Sequence, residues 1–135
     1  MLFYEKPYLI SKDELLVIKK YINKYLNKGF IYFSISLAAA PILLVKKLGG
    51  GIQFYINYKG LNAIIIKNRY PILLIYKTLK QLSQAKIYTK LNIIAAFNHF
   101  QIQEGDKWKT IFVLHFSQFK YTVMPFSVCN GLNTF

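Results

Sequence analysis

The side chains able to hold a metal, move a proton or attack phosphorus are few here and poorly grouped. The carboxylates are Glu5, Asp13, Glu14, Glu104 and Asp106, and the last two flank Gly105 in a pattern typical of a turn. His99 and His115 have no Ser, Cys or Asp set beside them as a nucleophile or orienting acid, so both are read as structural. Cys129 is the single cysteine, which argues against a disulfide-stapled secreted fold; it is read as a small buried hydrophobe rather than a reactive thiol. Gly49, Gly50 and Gly51 permit positive φ and a flexible tip, but no Gly-Lys-Ser/Thr follows, so they are not a phosphate-binding loop. What remains is cationic and aromatic. Lys46, Lys47, Lys59 and Lys67 could track a phosphate backbone, or simply be solvated. Tyr58 and Phe97 could stack on bases, or pack in a core as strand aromatics commonly do. Trp108 is read as a packing anchor.

The elements that must position these groups can be traced from periodicity. Ser11-x-x-Glu14 is a capping box, and Leu15, Ile18, Ile22 and Tyr25 recur behind it at helical spacing up to Gly29. Residues near 42–47 and 52–58 read as two strands around the three glycines. After Pro71, the apolar set Ile72, Ile75, Leu79 and Leu82 predicts a second helix. A short strand over 87–91 would deliver Asn92. Glu104-Gly105-Asp106 reads as a hairpin turn between strands at about 97–103 and 109–116, with a further strand over 119–124. No repeat, linker or domain boundary interrupts the chain. This order of helix, hairpin, helix, strand and hairpin suits an α+β fold.

Composition bounds the class. The chain has 135 residues, enough for one core, and its hydrophobic fraction of 54% excludes a disordered polymer. Lysine and arginine total 18 against 5 acids, a net charge of +13, which points to a polyanion such as RNA or DNA, bound weakly and without sequence preference. Arg69 is the lone arginine, although arginine is the better reader of phosphate and bases. Ile, Lys, Tyr, Phe and Asn make up about half of the residues. All can be encoded by codons rich in A and T, so part of the basic excess reflects base composition. Gly29 to Val45 carries no charge, but Pro41, Ser34 and Ser36 interrupt it and its length is marginal for a membrane span. Glu5 and Lys6 break any secretory signal. An intracellular protein of cytoplasm or nucleus, with no membrane partner, is expected.

Six motifs in order carry a family resemblance. Tyr88-Thr89-Lys90-Leu91-Asn92-Ile93-Ile94-Ala95-Ala96-Phe97-Asn98 resembles the stretch Phe-Thr-Lys-Leu-Asp-Leu-Arg-Gly-Ala-Tyr-Asn of gypsy-type long-terminal-repeat retrotransposon reverse transcriptases. Lys28-Gly29-Phe30-Ile31, Ala40-Pro41-Ile42-Leu43-Leu44-Val45-Lys46-Lys47, Asn57-Tyr58-Lys59-Gly60-Leu61-Asn62, Glu104-Gly105-Asp106-Lys107-Trp108-Lys109-Thr110 and Val123-Met124-Pro125-Phe126 follow the same family in register. The resemblance covers about residues 8–135 and implies the fingers and part of the palm of a right-hand polymerase within a retrotransposon polyprotein. The rest of that polyprotein is an expected partner.

The resemblance also implies roles for single residues. The first catalytic aspartate of the family, which helps to hold two Mg²⁺ ions, falls at Asn92; the family's Tyr-x-Asp-Asp hairpin lies beyond the motifs present. A catalytically degenerate fragment with no metal or cofactor of its own is therefore expected. Lys46 matches the fingers lysine that meets the γ-phosphate, and Gln53 stands where an arginine grips the triphosphate. Phe97 matches the aromatic that blocks a ribose 2′-hydroxyl. Phe126, which the resemblance also places among the nucleotide-binding positions, begins Phe126-Ser127 in place of a Phe-Gly turn, so strain is expected at Ser127 if positive φ is required there. Lys59, Lys67 and Tyr58 fall at template-side positions.

Overall fold

The computed structural model describes residues 6–70 and 74–131. Helix α1 (Lys12–Asn27) opens as its capping box dictates: the Glu14 carboxylate accepts from the Ser11 backbone N–H at 2.9 Å, and the Ser11 hydroxyl accepts from Glu14 N–H at 3.4 Å. Gly29, at φ +68, turns the chain out of the helix in the left-handed conformation that glycine tolerates best. Ile18 and Ile22 are buried, while Leu15 remains exposed at the rim.

Five strands follow: β1 (Ile31–Phe33), β2 (Ala40–Lys46), β3 (Ile52–Ile56), β4 (Phe112–Val113) and β5 (Gln118–Tyr121). They form one sheet in the order β1-β5-β4-β2-β3, antiparallel except for the parallel β2–β4 pair. The β2–β3 hairpin closes through Gly49, Gly50 and Gly51, all at positive φ, with Val45 opposite Gln53 and Lys46 opposite Ile52. Helices α2 (Lys59–Ile64) and α3 (Ile75–Leu82) and the 3₁₀ helices at Ala96–His99 and Glu104–Thr110 complete the elements.

The core lies between α1 and the sheet. Tyr21 stacks on Phe54 at 3.9 Å and its hydroxyl meets that of Tyr121 at 2.7 Å. Phe112 stacks on Phe119 at 5.6 Å in the sheet centre. Tyr58 is 1% exposed, and its hydroxyl donates to the Thr110 carbonyl at 2.6 Å.

Several expected elements take another form. Residues 87–91 form no strand: their apolar side chains are exposed, and among the described residues no strand runs beside them to complete a ladder. The expected hairpin about residue 105 is replaced by the 3₁₀ helix at Glu104–Thr110. Its turns are held by ion pairs three residues apart, Lys107 to Glu104 and Lys109 to Asp106, and by the Thr110 hydroxyl donating to Lys107 O at 2.7 Å. Trp108 rides this helix and is exposed rather than anchoring a strand. The 97–103 segment is a 3₁₀ turn followed by a single bridge from Gln101 to Val123, and the last strand is shorter than expected. The second helix exists as α3, but Ile72 lies outside the described residues. Among the described residues no helix is long and apolar enough to cross a membrane, and Gly29 to Val45 contributes β1, a loop and β2 instead.

Candidate nucleic-acid interface

Strand β3 is an edge of the sheet, and a cavity of about 410 Å³ opens beside it. Gln53 and Tyr55 line it from the strand, Phe97 and Phe126 from the far side, and Tyr21 and Tyr25 from α1. Three positions that the family resemblance linked to nucleotide binding, Gln53, Phe97 and Phe126, thus meet in one cavity. Phe97 and Phe126 pack edge to face at 5.3 Å, and Tyr55 lies 6.2 Å from Phe126. The Phe97 ring packs on Gly131, where a Cβ would sit 3.1 Å from a ring carbon, so a side chain there would require the ring to yield by a few tenths of an ångström.

The lysine on this wall is Lys47. Lys46, opposite Ile52 at the end of β2, is not among the residues lining the cavity, and its charge acts on Glu14 at the start of α1. The Glu14 carboxyl is held below its usual range first by the Ser11 amide and hydroxyl, with Lys46 adding to the effect.

Two asparagines fix the Phe126 wall, and sequence reasoning assigned neither this task. The Asn62 side chain donates to Ser127 O at 3.0 Å and accepts from Cys129 N–H at 2.9 Å. Asn130 donates to Ile66 O at 2.9 Å and accepts from Asn68 N–H at 3.0 Å. These bonds clamp residues 127–130 to α2 and the chain after it. Asn62 stands in the Tyr58-Lys59-Gly60-Leu61-Asn62 motif, the only hint the sequence offers. Ser127 is free of the expected strain, because Ala95, at φ 52, is the one non-glycine residue with positive φ among the described residues. Cys129 is exposed rather than buried, since the clamp holds its backbone at the surface.

The remaining positions scatter. Lys59 is exposed at the first turn of α2, its amide donating to Asn57 Oδ1 at 3.2 Å, and Lys67 is exposed shortly after that helix. Tyr58 is corrected: its ring is buried against the core and cannot stack on a base. Asn92 is exposed on irregular chain and is not among the residues lining the cavity.

The donor set does not fit a pair of magnesium ions. Mg²⁺ demands near-octahedral oxygen coordination and is held in such sites by carboxylate and phosphate oxygens beside water. Asn92 offers a neutral amide, and among the described residues no three of His, Cys, Asp and Glu come together. Glu14 is engaged by Ser11, Glu104 by Lys107 and Asp106 by Lys109.

Comparison with known proteins places this arrangement. No protein-family model matches the chain. The Transposon Tf2-3 and Tf2-4 polyproteins of Schizosaccharomyces pombe (strain 972) are each 30% identical to it over 123 residues, 91% of this chain but 9% of each relative. The chain thus spans about a tenth of the curated relatives it matches. Among solved structures, a foamy viral protease-reverse transcriptase in complex with dsDNA superposes with a TM-score of 0.80 at 20% identity, covering 97% of this chain and 28% of that one. The foamy viral protein in complex with an RNA/DNA hybrid gives 0.77 at 18% identity, covering 94% of this chain and 17% of that one. Those structures share the fold, and the polyproteins share the sequence. The chain is thus similar over nine-tenths of its length to retrotransposon polyproteins, and its fold is that of the fingers and first part of the palm of a reverse transcriptase.

Proposed function

We propose that this chain is a gypsy-type reverse transcriptase segment, an RNA-directed DNA polymerase by descent, that binds nucleic acid but does not polymerise by itself. Asn92 carries the reading. Phosphoryl transfer by two metal ions needs anionic ligands to offset four positive charges, and an amide at the first ligand position supplies none. Gln53 weakens the site further, because a neutral amide cannot fork onto a triphosphate as a guanidinium does. Lys47, Phe97 and Phe126 keep a wall that could take a phosphate and a sugar ring. Lys59 and Lys67 extend the cationic surface beyond it. The foamy viral proteins of similar fold were solved in complex with dsDNA and with an RNA/DNA hybrid, which supports a nucleic-acid partner, and the rest of a polyprotein is the natural second one.

The test is primer extension by the 135-residue chain in Mg²⁺ or Mn²⁺, with and without Asn92→Asp. Neither form should incorporate nucleotide, because Gln53 persists and the 135 residues contain no Tyr-x-Asp-Asp. Incorporation above a heat-denatured control overturns the reading. Binding to oligonucleotides should be weak, on the order of 10⁻⁴ to 10⁻⁶ M at physiological salt, and should fall steeply as salt rises. Lys47→Glu with Lys59→Glu should weaken it and flatten the salt slope more than Lys19→Glu with Lys24→Glu on α1. Equal losses would leave bulk charge alone as the cause.

A further inference from the structure

A second basic concavity, about 630 Å³, lies by the opposite edge strand, β1. Lys28, Lys107 and Lys120 line it with Phe30, Tyr32 and Phe33. Its one lining carboxylate is Glu104, ion-paired to Lys107 and also within the field of Lys120. Three ammonium groups against one carboxylate leave the pocket cationic. The Lys28 ammonium stands 5.6 Å from the centre of the Phe30 ring, which orients it without neutralising it. Tyr32 and Phe33 are 52% and 66% exposed, although large aromatics ordinarily seek cover. Phe33 still rests on Phe119 at 4.8 Å. Tyr32 closes over Gly29, where a Cβ would lie 3.3 Å from the tyrosine hydroxyl.

We propose that this concavity is a second site for single-stranded nucleic acid, seating a phosphodiester between Lys28 and Lys120 and a base against Tyr32. Cations beside an exposed ring are the combination by which single strands are held without sequence preference; a duplex keeps its base faces stacked inside. The site shares no lining residue with the cavity beside β3. The two edge strands stand four strand spacings apart, roughly 19 Å, so each can be disabled without touching the other.

Fluorescence anisotropy on the full chain tests this, with labelled dT12 and an abasic strand of equal length. Lys28→Glu with Lys120→Glu should weaken dT12 binding about tenfold, in the wild type and equally in a Lys47→Glu, Lys59→Glu background. Tyr32→Thr should weaken dT12 by roughly fivefold, the smaller end of one stacked base, and leave the abasic strand unchanged. Glu104→Gln should tighten binding more than Asp13→Asn, which adds the same charge on α1; a gain of affinity cannot come from misfolding. The proposal fails if Lys28 and Lys120 prove silent while Lys47 and Lys59 matter, an outcome that leaves the reading of the first site intact. It fails equally if Tyr32→Thr weakens both strands alike, or if Glu104→Gln and Asp13→Asn act alike.

Discussion

Ala95 shows how one residue type can contradict the backbone it occupies. It takes φ 52 and ψ 40, the left-handed region, where a Cβ crowds the following carbonyl at about 1–2 kcal/mol. The related reverse transcriptase stretch has glycine there. Ala95 leads into the 3₁₀ turn that carries Phe97 to the cavity, and its carbonyl accepts from Asn98 N–H at 2.9 Å, so the strain sits under the wall of the site. Ala95→Gly should stabilise the chain by up to about 1 kcal/mol once the added freedom of the unfolded glycine is deducted. A rise in the urea midpoint with no change in slope is the expected result, and a fall would show that the conformation is not retained in solution. The strain expected at Ser127 was sought at the wrong glycine position. Sequence shows which residue departs from a pattern, but only backbone angles show which departure is felt.

Among the elements, those with a local signal were legible: the Ser11–Glu14 box and the 3.6-residue period of α1, and the Gly49–Gly51 turn between β2 and β3. Strand β1 has three residues and no periodicity to read, and its pairing with β5 depends on residues 90 positions away. Helix α2 has no counterpart in the sequence reading, which ran the second strand to Tyr58; the strand ends at Ile56, and the Asn57 side chain that accepts from Lys59 N–H at the start of α2 is seen only in the geometry. Gln53, Phe97 and Phe126 were legible by resemblance, whereas the choice of Lys47 over Lys46 needed the placement of the β2–β3 hairpin against the cavity. The clamp by Asn62 was illegible, since asparagine carries no periodic signal. It predicts that Asn62→Ala, which leaves the Ser127 carbonyl and Cys129 amide without their partner, costs on the order of 1–3 kcal/mol. The same change should loosen the Phe126 wall, seen as faster hydrogen exchange at residues 127–130 and unaltered exchange in α1.

At the scale of the molecule, burial of tyrosine sets the alkaline limit. Tyr21, Tyr58 and Tyr121 are each pushed well above the usual phenol range, chiefly by burial, with Tyr121 next for Tyr21 and Tyr58 next for Tyr121. Their unfolded counterparts ionise near pH 10. Below that value both states hold the protons and the contribution is complete. Above it the unfolded chain releases protons that the folded chain retains, so stability falls as pH rises. Tyrosinate absorbance from these three should therefore appear only together with loss of ellipticity. Simultaneous titration of all 11 tyrosines near pH 10 with structure intact would refute this. The strand order has a further consequence, one of timing. Ile31 pairs with Tyr121, so at synthesis rates of about 5–20 residues per second the ribosome needs roughly 5–18 s to deliver the partner of β1. Through that interval Ile31 has no neighbouring strand and only the β2–β3 hairpin can cover α1, so the nascent chain is a client for any chaperone that reads exposed aliphatic helix.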